Sequence, residues 1–183
     1  MAVSAWILDD RPFGLLAQVA DAARVRAWAG LRLLIPEATI RQLDNDRSGR
    51  RRGLYGASEE ASPFGRVEVR IGDPAAEILY GHLRDGFKEE ASLAEHEAVA
   101  WALTHAEDSV FVCCDRRAVL TALAELGRGR VAHPFDLWLL LRDLGLVAPE
   151  EFDALCRSTA AADTGLPGIP WRISHDERAG ARG

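Results

Sequence analysis

The chain has 183 residues, a net charge of −6, 48% hydrophobic and 27% charged residues, a balance that suits one globular α/β-sized domain with a substantial core. No apolar run reaches the ~20 residues a bilayer span needs. Acids interrupt the N-terminal MAVSAWILDD where a signal peptide would stay apolar, so a cytoplasmic protein with no membrane partner is expected. The acidic balance argues against a surface coated in basic groups for nucleic acid, yet it leaves room for a nuclease, because carboxylates that hold metal count towards that total.

The first apolar run, Ser4 to Leu8, suits a strand buried on both faces and ends in Asp9-Asp10. Pro12 then favours a helix start. Phe13 to Val19 and Ala22 to Ala29 read as helices, closed by Gly30. Leu31 to Ile35 reads as a second strand, and Pro36 opens a helix from Glu37 to about Asp44. Residues 45–63, NDRSGRRRGLYGASEEASP, are polar and aperiodic and read as a mobile basic loop. Val67, Val69 and Ile71 alternate with Arg66, Glu68 and Arg70, which predicts a third strand over 66–71. Asp73 and Pro74 start a helix to about Leu83, and Leu93 to Ala106 is the clearest long helix. Ser109 to Cys114 is a strand ending at Asp115. A helix follows from Arg116 to Leu126, then a short edge strand from Arg130 to His133. Helices are expected from Phe135 to Leu144 and from Pro149 to Ala160, with a flexible tail over 161–183.

Strands alternating with helices imply βαβ units. The expected architecture is a three-layer α/β/α sandwich with a central parallel sheet of four to five strands, spanning residues 1–160. Ligands of such sheets bind beyond the carboxyl ends of the strands, where Asp9 and Asp115 are both expected. The helix at Leu93 adds Glu97, followed by the apolar run AVAWA, where an acid is costly unless it is paired or bound to metal. Glu95 lies two residues earlier, about 200° around the helix, so the two glutamates cannot share one site. Cys113 and Cys114 would point to opposite faces of a strand, and with Cys156 they are expected as core residues without a bridge. His82, His105, His133 and His175 follow no ligand pattern.

In order and spacing, the segments ILDDRPFGLLA, LLIPEATIRQL, LAEHEAVAWAL, VFVCCDRRAV and HPFDLWLLLRDLGLVAPEEFDAL resemble the PIN-domain family over roughly Ala5 to Arg157. The resemblance implies a metal-dependent ribonuclease that cleaves single-stranded RNA. It implies that Asp9, Glu97 (with Glu95 as the alternative) and Asp115 bind Mg²⁺ or Mn²⁺, ions that prefer carboxylate oxygen and water. The family's second acid falls on Gln42, whose carbonyl can ligate a hard cation but brings no charge; Asp46 lies one helical turn on. Arg11 and Cys113 replace a small polar residue and a hydroxyl of the family pattern. Arg11, Arg47, Arg50, Arg51 and Arg52 are expected to neutralise RNA phosphates, and Tyr55 and Phe64 are candidates to stack on bases. The family also implies a toxin of a toxin–antitoxin pair, with an antitoxin protein and a homodimer among its partners. The departures at Gln42, Arg11 and Cys113 define an alternative, a catalytically impaired PIN-like module that binds RNA or protein. A phospho-receiver domain would need a late strand-end lysine, and Lys88 is badly placed; a haloacid dehalogenase would need an acid where Arg11 stands.

Overall fold

The computed structural model describes residues 3, 5–43, 64–84 and 93–162. Five strands, β1 (Ala5–Leu8), β2 (Leu33–Pro36), β3 (Phe64–Val67), β4 (Ser109–Val112) and β5 (Val131–Ala132), form one sheet in the order β3-β2-β1-β4-β5. Every neighbouring pair is parallel, with Trp6 opposite both Leu33 and Val110. The helices are α1 (Asp10–Val19), α2 (Ala22–Ala27), α3 (Glu37–Gln42), α4 (Pro74–Arg84), α5 (Leu93–His105), α6 (Arg116–Leu126), α7 (Pro134–Asp143) and α8 (Pro149–Ala162).

The two-residue period of a strand sorts the sheet's side chains between two cores. Leu8, Leu33, Ile35, Val110, Val112 and Ala132 join one cluster with Phe13, Leu16, Trp28, Trp138 and Leu155 from α1, the short 3₁₀ turn after α2, α7 and α8. Ala5, Ile7, Leu34, Phe111, Cys113 and Val131 join the other, with Ala98, Val99, Ala118 and Val119 of α5 and α6. The result is the expected three-layer α/β/α sandwich. Trp138 donates its indole N–H to Thr159 Oγ1 at 2.8 Å, which ties α7 to α8 without leaving a buried donor unmet. Arg24 of α2 pairs with Glu151 of α8 across the same layer.

Several boundaries differ from the sequence reading. The third strand lies at 64–67 and not at 66–71: Val67 is fully buried opposite Pro36, whereas Val69 is half-buried and Ile71 fully exposed. The alternation beyond Val67 thus runs along chain that has already left the sheet edge. The strand expected to reach Cys114 ends at Val112, and the last strand has only two residues. The first helix starts at Asp10, since Asp9 caps it, and the second strand is Leu33–Pro36. The eighth helix runs to Ala162, two residues into the segment read as tail. The loop at 45–63, with Asp46, Arg47, Arg50, Arg51, Arg52 and Tyr55, lies outside the described residues, as do Lys88, His175 and the rest of the tail. Among the described residues no helix is long and apolar enough to cross a membrane.

Candidate acidic site at the strand switch

Moving outward from β1, the connections run one way to β2 and β3 and the other way to β4 and β5. The carboxyl ends of β1 and β4 flank that reversal, the point at which open α/β sheets leave a crevice. Asp9 and Asp115 stand there. The amide of Asp9 donates to the Val112 carbonyl at 3.1 Å, so the residue is held as an extension of the β1–β4 pairing. The period of two also directs it: Leu8 enters one core, so Asp9 turns towards the α5–α6 layer, as do Cys113 and Asp115 beyond β4.

Each aspartate caps the helix that follows it. Asp9 Oδ1 accepts from the Asp10 N–H at 2.9 Å, and Asp115 Oδ1 accepts from the Arg117 N–H at 3.0 Å. Asp9 is only 8% exposed. Burial pushes its carboxyl up to about 6; the Asp10 N–H opposes this, the charges of Asp10 and Asp115 add to it, and Arg11 lowers it.

The third acid of this neighbourhood is Glu95. It is 5% exposed in the first turn of α5. Burial raises its carboxyl to about 7; Asp9 and Asp115 raise it further, against the pull of Arg117. Its Oε1 lies 3.8 Å from Arg117 Nε, while Oε2 is buried with no hydrogen-bond partner among the described residues. Cys113 forms part of the same wall. Its thiol is pushed well up by burial and then by the charges of Asp9, Cys114, Glu95 and Asp115.

Glu97 has different surroundings. Its Oε2 accepts the Ala38 N–H at 2.8 Å, and the charges that act on it are those of Arg41 and Glu37. The 200° between the two glutamates therefore sends Glu95 to the aspartates and Glu97 to the start of α3. Gln42, at the end of α3, is exposed to solvent, and Arg11 is half-buried beside Asp9. Phe64 is not available to a base: it is buried and meets Phe13 edge-to-face, centroids 5.5 Å apart. Cys113 and Cys114 are buried as expected, and Cys156 is half-buried.

Two features escaped sequence reasoning. Arg117 faces Glu95, a contact its place two residues after Asp115 could have suggested. His96, sequestered between the two glutamates in the sequence, meets His82 of α4. Burial first, then His82 and Arg117, push His96 down to about 4. The remaining described histidines are structural. His133 caps α7 in a reciprocal box with Asp136, and His105 pairs with Asp73 at 3.1 Å while stacking on Trp101.

Among the described residues no group of three or more His, Cys, Asp or Glu side chains stands gathered as a metal site. Both aspartates spend an oxygen on a helix cap. The charge of Asp115 raises the proton affinity of both Asp9 and Glu95, Asp9 adds to that of Glu95, and Oε2 of Glu95 has no hydrogen-bond partner among the described residues. No family model, curated protein or solved structure matches the chain.

Proposed function

We propose that the chain is a PIN-type, metal-dependent ribonuclease for single-stranded RNA, with Asp9, Glu95 and Asp115 as its acids. The observation that supports this reading is the meeting of three carboxylate fields at the strand switch, around a buried Glu95 oxygen with no hydrogen-bond partner among the described residues. Buried acids of like charge are costly, and a divalent cation is the simple agent that would offset them. Bound Mg²⁺ or Mn²⁺ supplies a water of lowered pKa and relief of negative charge on the scissile phosphate. The protein's own part is to hold those carboxylates rigidly on two helix caps and one buried helix turn. Arg117 and Arg11 then place positive charge beside them for a phosphate to meet. The arginines at 47 and 50–52 would extend that grip along the RNA. The family setting this reading carries is a toxin held in check by an antitoxin, with homodimerisation as a further partner choice.

A second reading, a PIN-like module that binds RNA or protein without cutting, is favoured by the exposed, uncharged Gln42 and by the carboxylates' capping duties. Labelled single-stranded RNA incubated with Mn²⁺ separates the two. The nuclease reading expects cleavage by wild type, loss of at least a hundredfold in Asp9→Asn and in Glu95→Gln, and loss in EDTA. RNA left intact by wild type with Mn²⁺ present, or equal cleavage by wild type and Asp9→Asn, overturns it.

A further inference from the structure

His82 on α4 and His96 on α5 approach with their Nδ1 atoms 3.1 Å apart and their ring centroids 5.0 Å apart. His96 is buried, while His82 keeps an edge open to solvent. Two neutral imidazoles can share such a contact as an N–H···N bond. The same spacing matches one edge of a tetrahedral metal centre, where nitrogens about 2.0–2.1 Å from the ion lie about 3.3 Å from each other.

Glu125 of α6 stands by the other ring nitrogen of His82. Its Oε1 lies 4.0 Å from Nε2 of His82. A carboxylate on that side favours the tautomer with hydrogen on Nε2, which turns the Nδ1 lone pair towards His96. Carboxylates orient metal-bound histidines by accepting a hydrogen bond from the other ring nitrogen, which Glu125 would do on closing from 4.0 Å.

We propose that His82 and His96 are two ligands of a site for a borderline transition-metal ion such as Zn²⁺, with Glu125 orienting His82 and solvent reaching its open edge. Imidazole pairs suit Zn²⁺, Ni²⁺ and Cu²⁺, whereas Mg²⁺ and Mn²⁺ prefer oxygen. The site is therefore chemically separate from the carboxylates at the strand switch and does not depend on the nuclease reading. Arg117 places positive charge near His96, which Glu95 at 3.8 Å partly offsets. A bound ion would join α4 to α5.

The test is calorimetric titration of the full chain with Zn²⁺, in buffer free of other divalent ions. His82→Ala is expected to weaken binding at least tenfold, Glu125→Gln by about tenfold, and Asp9→Asn not at all. His82 and Glu125 both reach solvent, so these variants should keep the fold, which far-ultraviolet circular dichroism verifies. No Zn²⁺ binding by wild type, equal binding by His82→Ala, or a loss confined to Asp9→Asn would each overturn the site.

Discussion

A carboxylate can be carried into a protein interior only if something there repays its lost hydration. Glu95 and Glu97, equally buried on one helix, meet that demand differently. Glu97 takes a backbone N–H at the start of α3, so it is half of a structural bond. Glu97→Ala leaves the buried Ala38 N–H unmet, and urea titration should show a loss of about 1–3 kcal/mol. Glu95 has Arg117 at 3.8 Å and an oxygen with no hydrogen-bond partner among the described residues. Glu95→Gln should stabilise the metal-free protein at pH 8 by roughly 1–3 kcal/mol, and a loss of stability there would contradict its strained surroundings. The sequence separated the two glutamates by helical geometry. It could not say which one faces the aspartates, because that depends on how α5 is rotated against the sheet.

At the scale of elements, the junction between α5 and β4 is bound by Arg130 together with Ser109, whose Oγ donates to the Ala106 carbonyl at 2.7 Å. Arg130 donates to the carbonyls of Ala102 and Ala106 at 2.7 Å each and of Ser109 at 3.2 Å. These include carbonyls at the end of α5 that have no partner within the helix. Arg130→Ala should cost about 2–4 kcal/mol by chemical denaturation, because several buried acceptors lose a charged donor together; a change below about 0.5 kcal/mol would mean that water replaces it freely. The turn just before it needs Gly127, whose φ of +74° with ψ of 170° is a conformation that side chains resist. Gly127→Ala is expected to lower the thermal midpoint, with the 3₁₀ turn at Arg128–Arg130 and hence the Arg130 bonds displaced. The helices were legible in the sequence from their apolar period and their Pro and Asp starts. The third strand was misplaced because Val67, Val69 and Ile71 mimic a strand period, while pairing with β2 stops at Val67.

For the whole molecule, the acidic neighbourhood links stability to pH. The folded-state values of Asp9, about 6, and Glu95, about 7, lie above the ordinary carboxyl range. The folded protein thus holds these protons more tightly than the unfolded chain. Their stabilising contribution is full below about pH 4, falls as the pH rises, and is gone above about pH 7. In EDTA the protein should be more stable at pH 5 than at pH 8 by on the order of 3 kcal/mol from these groups, and Asp9→Asn should flatten the difference. Under the proposed function, Mn²⁺ should raise the thermal midpoint more at pH 8 than at pH 5, since ion and proton compete for the same oxygens. Equal midpoints at the two pH values in EDTA would show that the carboxylates are better solvated than their burial implies.

What the sequence determined by itself is whatever short-range chemistry repeats along the chain. The buried strands AWIL and SVFV, the aspartates that end strands and open helices, and the apolar face of each helix follow from local period and capping, and they specify a layered parallel sheet. The tertiary structure decided the strand order, and with it the switch between β1 and β4 that brings Asp9 and Asp115 to the same end of the sheet. It also turned Glu95, and not Glu97, towards the aspartates and joined His82 to His96, because those meetings depend on the packing of whole helices against one another, which no local pattern encodes.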